Sequence, residues 1–93
     1  MQEDVIYTEI RDLIDKFKYD KAIILLDSLI KSGKATDITY YIKGNIYRRQ
    51  NDWKNAIDNY SIAIELNSES PAVTAKEMVI NILNFYNKDM YNH

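Results

Sequence analysis

The chain has no cysteine, so it forms no disulfide and offers no thiolate to a metal. Two glycines and one proline in 93 residues are far below average. Both residues interrupt regular structure, so their scarcity fits an all-helical chain with short connections, and Gly33 and Gly44 alone cannot build a glycine-rich phosphate loop. The single histidine is His93, the last residue, which reads as a frayed end rather than a base or ligand. No long apolar run exists: the longest, Ala22 to Leu26, is far too short to span a bilayer. No excess of positive charge exists either, since the net charge is −2 and the pI about 5.3. That balance gives no footprint for nucleic acid. The first residues, MQEDVIY, lack the basic and apolar regions of a signal peptide. The expectation is a soluble, cytoplasmic single domain without membrane insertion, although a piece excised from an exported protein would read the same.

What is present is ordinary for a globular core, with 46% apolar and 28% charged residues, plus eight tyrosines. Apolar residues recur at three- and four-residue steps in five segments. Ile6, Ile10, Leu13, Ile14 and Phe17 predict a helix over about 3–16. A corner at 17–20 leads to a second helix on Ala22, Ile23, Leu26, Leu29 and Ile30, ending before Gly33 as a left-handed residue. Thr36 or Asp37 caps a third helix running to about Gln50, and Asn51-Asp52 turns into a fourth over about 53–66. Ser70 and Pro71 open a fifth, with a predicted apolar stripe of Ala75, Met78, Val79, Ile82, Leu83 and Tyr86.

The segment NDWKNAIDNYSIAIELN, positions 51–67, repeats an earlier one, YDKAIILLDSLIKSG, positions 19–33. Laid over each other, they put Tyr19 under Trp53, Ala22 under Ala56, Ile23 under Ile57, Leu26 under Tyr60 and Ile30 under Ile64. In the second unit Tyr40, Gly44, Tyr47, Ala56, Tyr60 and Ala63 alternate large and small at fixed places. Small side chains let two helices approach closely while rings fill the grooves. This spacing resembles the tetratricopeptide repeat. The first unit is weaker, with Ile10 at the Gly44 place and Leu29 at the Ala63 place. Lys43 replaces the usual leucine, its stem still able to cover apolar surface. The resemblance implies an all-α, right-handed α-solenoid of antiparallel helix hairpins. Repeat 1 would cover about 3–36, repeat 2 about 37–68, and a capping helix about 70–88.

The resemblance also implies a concave groove lined by the first helix of each pair, where a partner protein or peptide binds. Carried over, that groove presents Tyr7, Arg11, Ile38, Tyr41, Asn45, Arg48 and Arg49, with Asp4, Ile14 and Asp15 beside them. The alternative is that Ile14, Ile38 and Tyr41 only pack against neighbouring helices while the arginines are solvated. Some family members clamp a terminal carboxylate with Lys, Asn and Arg. Only Asn45 matches here; Tyr7 and Arg11 stand at places expected to be Lys and Asn, and Met78 and Ile82 replace the basic pair. No such clamp is expected.

On the fifth helix, with Ala75, Val79, Ile82, Leu83 and Tyr86 covering the second repeat, Val73 and Ile80 point away from it, and Phe85, with Met78 nearby, lies on the opposite flank. That surplus apolar surface raises a second function: self-association into a homo-oligomer, or one end of a longer array. Nothing suggests catalysis or a cofactor. Asp12 with Asp15, and Glu65 with Glu69, sit at helical spacing without a histidine or metal partner and read as solvated faces. The sequence therefore predicts a non-enzymatic interaction module.

Overall fold

Five helices follow one another in the computed structural model, which describes the backbone of residues 2–91 and the side chains of residues 5–86. They are α1 (Gln2–Asp15), α2 (Tyr19–Lys31), α3 (Asp37–Arg49), α4 (Trp53–Leu66) and α5 (Ala72–Tyr91). The expected ends of helices 1 to 4 fall within a residue or so of these. His93 and the side chain of Asp4 lie outside the described residues.

Three helices stop by the same device. Phe17, Gly33 and Asn51 are left-handed, with φ of 60°, 75° and 61°. At each, the next residue donates its N–H back across the end: Lys18 to the Leu13 carbonyl, Lys34 to Leu29, and Asp52 to Tyr47. The left-handed residues donate to Ile14, Ile30 and Arg48 respectively. This Schellman pairing satisfies carbonyls that a helix end otherwise leaves open. Phe17 and Asn51 hold the same place in successive helix pairs, so the backbone repeats even where the side chain does not.

The starts of α3, α4 and α5 are capped by side chains. Thr36 accepts from the Ile38 N–H at 3.2 Å, while Thr39 accepts from the Thr36 N–H at 3.0 Å. Asp52 accepts from the Asn55 N–H, and buried Ser70 accepts from the Ala72 N–H. The Ala75 N–H returns to the Pro71 carbonyl. Ser70 is thus the cap, and the proline sits where its missing N–H costs nothing.

Successive helices pack as hairpins, with α3 against α4 the most extensive contact. Ala22, Gly44, Ala56 and Ala63, the small residues singled out in the sequence, are all buried. Ile10, Ile14, Leu26, Leu29, Ile42 and Ile46 form one core between the first hairpin and α3. Ala56, Tyr60, Ala63, Ala72 and Val79 form a second between α4 and α5. Tyr41 packs against both. Stacking pairs in a row rather than around a centre gives an elongated body of 52 × 29 × 18 Å. Its radius of gyration is 14.3 Å, against about 12 Å for a compact domain of this length.

Two sequence expectations need correction. Phe17 stands at the expected corner but does not pack with the α1 stripe: it is left-handed and 76% exposed. Tyr86 does not cover the second repeat and stands exposed on α5, while Met78 is exposed on the flank near Phe85. The cause is length and phase. α5 has 20 residues and α4 has 14, roughly 30 Å against 21 Å at 1.5 Å per residue. Running back along α4 from Ala72, α5 passes the start of α4 near Phe85, so Tyr86 overhangs the corner. Met78 lies one position before buried Val79, off the packed stripe.

Lys43 shows what replaces leucine at its position. Its side chain is only 18% exposed, and its Nζ lies 2.8 Å from Asp27 Oδ1 on α2. The stem covers the core and the charge reaches a carboxylate on the previous helix.

Candidate functional site

The residues expected to line the groove lie on α1 and α3, where Tyr41, Asn45 and Arg48 recur at four- and three-residue steps along one edge. The structure brings several of them together. Arg11, Tyr41, Asn45 and Arg49 line one cavity of about 290 Å³, with Ile14, Asp15 and Ile42 at its floor and rim. Tyr41, Asn45 and Arg48 line a second, of about 300 Å³, closed on the other side by Pro71, Thr74, Ala75 and Met78 of α5. The shared residues make the two cavities neighbours along one concave strip.

Two expected residues are not in that lining. Tyr7 is half-buried, and its hydroxyl is 2.6 Å from the Oγ1 of fully buried Thr39, tying α1 to the cap of α3. Ile38 is half-buried against the first core. Ile14 lines the first cavity but is only 7% exposed and belongs to the core. For these three, packing explains most of the side chain.

Tyr60 anchors the strip from below. Its ring is fully buried under Gly44, and its hydroxyl donates to Asn45 Oδ1 at 2.5 Å. The bond fixes which way the Asn45 amide faces. Its ring and that of Tyr41 lie 6.2 Å apart at a tilt of 38°. Burial pushes the Tyr60 phenol above its ordinary value, while the Arg48 guanidinium beside the hydroxyl pulls the other way. A buried tyrosine thus holds the amide in place, leaving its remaining donors to the cavity.

A third cavity, larger than these two at about 540 Å³, lies where the α3–α4 corner meets the second half of α5. Asn51, Trp53, Met78, Asn81, Ile82, Phe85 and Tyr86 line it, and Met78 joins it to the second cavity. Sequence reasoning gave no groove role to Trp53, Thr74 or Tyr86 and assigned Phe85 to self-association. The available signal was a change of offset. Buried Thr39, Ile42 and Ile46 map onto buried or half-buried Ala72, Ala75 and Val79, a step one position shorter than the one from Ala22 to Ala56. At that shorter offset Thr74 stands for Tyr41, Met78 for Asn45 and Asn81 for Arg48.

No group of three or more His, Asp or Glu that could hold a metal occurs among the described residues. No helix among them is long and apolar enough to cross a membrane.

A family model, the tetratricopeptide repeat, matches residues 38–70, which take in nearly all of the second helix pair and the turn up to Ser70. No curated protein is significantly similar to the chain in sequence. The chain is similar to a Bacteroides fragilis protein, BF1650, whose structure was solved by solution NMR. The two are 46% identical, the match covers 91% of this chain and 87% of that one, and the TM-score is 0.80. Five helices, the paired packing and the buried small residues agree with these matches. The chain belongs to the tetratricopeptide repeat family.

Proposed function

We propose that this chain is a protein-interaction module that holds a segment of a partner protein, a peptide or a helix, in the concave strip lined by α1, α3 and α5. The family suggests a protein-interaction module in general. The observation that supports the groove as the place is continuity: the first two cavities share Tyr41 and Asn45, and the second and third share Met78. A continuous strip of aromatic surface, guanidinium and amide offers the area and the oriented donors that peptide recognition uses.

Self-association is the second reading, and it has less surface to work with. Val73 is half-buried and Ile80 only 37% exposed, and Phe85 lies far around the helix from both. Sedimentation of the chain over a range of concentrations tests it, a persistent monomer removing it.

A steric plug tests the groove. Thr74 is exposed and lines the middle cavity, so Thr74→Trp fills it without altering charge. Peptides selected on the native chain from a random display library are expected to lose binding to this variant. They should keep binding to Asp58→Trp, on an exposed part of α4. Far-UV circular dichroism confirms that both variants stay folded. Unchanged binding to Thr74→Trp overturns the groove.

A further inference from the structure

The two ends of the strip differ in chemistry. At the α1–α3 end, Arg11 and Arg49 are exposed and flank a cavity that contains one carboxylate, Asp15. Arg48 faces the adjoining cavity beside the Tyr60 hydroxyl. The ion pairs among the described residues are Lys16–Asp12, Lys43–Asp27 and Lys54–Asp58, so none of the three arginines has a carboxylate partner there. A protein of net charge −2 therefore gathers guanidinium groups without a carboxylate partner among the described residues along one edge of its concave face.

At the α5 end the lining carries no charge. Trp53 and Ile82 are half-buried, while Met78, Phe85 and Tyr86 are 51%, 75% and 70% exposed. The rings of Phe85 and Tyr86 meet edge to face with centroids 5.7 Å apart. This is a roomy apolar cavity whose walls are in water, the setting in which a bulky side chain gains most by insertion.

We infer that the strip reads a polarised peptide, one with Asp or Glu for the Arg11–Arg48–Arg49 edge and an aromatic or long aliphatic residue for the Trp53–Met78–Phe85 cavity. The inference rests on the peptide-groove reading and adds the ligand's chemistry and direction. Guanidinium forks match carboxylates in plane and in number of donors, and charge complementarity favours acidic over basic partners. The two anchor sites lie on either side of α3. Packed helices sit about 8–10 Å apart and an extended chain covers about 3.3 Å per residue. The two anchors in the peptide should therefore be roughly five or six residues apart.

The test uses a random-peptide display library selected on the full chain. Enriched sequences are expected to carry an acidic residue and a large apolar residue at about that separation. A synthetic peptide of the enriched sequence should bind Arg11→Glu/Arg49→Glu at least about tenfold more weakly. Replacing its acidic residue by lysine should restore binding to that variant. Met78→Ala/Phe85→Ala should also weaken binding about tenfold, without changing its salt dependence. All four positions are exposed, so loss of fold is not expected, and circular dichroism checks it. Enriched peptides that lack acidic residues, or that bind the charge-reversed variant equally well, overturn the polarity. The groove itself then still stands if Thr74→Trp blocks them. Binding indifferent to Thr74→Trp, or no enrichment at all, overturns both.

Discussion

Gly44 and the ring of Tyr60 are in direct contact, with no space between them for a methyl group. A Cβ at position 44 would stand 2.6 Å from Tyr60 Cε1, 2.7 Å from Cδ1 and 3.2 Å from the Ala56 carbonyl oxygen. Tyr60 is fully buried and cannot swing aside. The α3–α4 hairpin therefore closes to this distance because residue 44 has no side chain.

Gly44→Ala is expected to destabilise the fold by about 1–3 kcal/mol, the usual cost of overpacking. That is the reverse of the gain of about 1 kcal/mol that alanine brings inside an exposed helix. Urea denaturation followed by circular dichroism gives the sign. A higher midpoint in the variant would mean that the helices can separate at little cost.

The left-handed corners predict a pair of opposite effects. Gly33 has open space around its missing Cβ but φ of +75°, so Gly33→Ala should cost about 1 kcal/mol from backbone strain alone. Phe17 has φ of +60°, is exposed, and touches Tyr19 edge to face at 6.2 Å. Phe17→Gly removes strain and little burial, so the urea midpoint should rise, by up to about 1 kcal/mol in stability. A fall would show that the ring contact outweighs the strain.

The Lys43–Asp27 pair predicts another asymmetry. Lys43→Leu exchanges a mostly buried ammonium for an apolar side chain and should leave stability unchanged or raise it by about 1 kcal/mol. Asp27→Ala leaves that ammonium without its partner and should lower stability by about 1 kcal/mol, since the carboxylate is half-exposed and screened. Equal losses from both variants would mean that the bridge itself is the larger contribution.

Alkaline pH should loosen the α3–α4 contact through Tyr60. Burial holds its phenol above the ordinary value of 10.0, so the folded state keeps the proton more tightly than the unfolded one. The associated stability is complete below about pH 10 and is lost as pH rises through the higher folded value. Tyr60→Phe should show a smaller fall in stability between about pH 9 and 11 than the native chain does. Parallel curves for the two would remove Tyr60 as the cause.

Much of the fold was legible because it depends on local spacing. The buried set at 22, 44, 56 and 63, the cap at Ser70 and the stop at Gly33 are all short-range patterns, and each appears as read. Phe17 was misread because a three-residue step extended the α1 stripe by one member. Nothing in its chemistry announced a left-handed residue. Tyr86 was misplaced because a helix pattern gives periodicity but not how far the partner helix extends. α4 is six residues shorter than α5.

The candidate site was half legible. Arg11, Tyr41, Asn45, Arg48 and Arg49 came from register on the repeat, and the two α1–α3 and α3–α5 cavities contain them. Tyr7 and Ile38 share that register, but Tyr7 is held by Thr39 and Ile38 by the core. That depends on the closeness of α1 and α3, which no single helix pattern encodes. The α5 end was legible only in part: Met78 and Ile82 stand in the lining, but Thr74 and Asn81 were missed because the offset shortens by one position where the second repeat meets α5.

The most direct measurement is a titration of the isotope-labelled chain with a selected peptide, followed by two-dimensional amide NMR. The account predicts that shift changes concentrate at Arg11, Tyr41, Asn45, Arg49, Thr74 and Met78, with little change at Ile24, Asp58 and Ile62 on α2 and α4. Changes centred on α2 and α4 instead would contradict it.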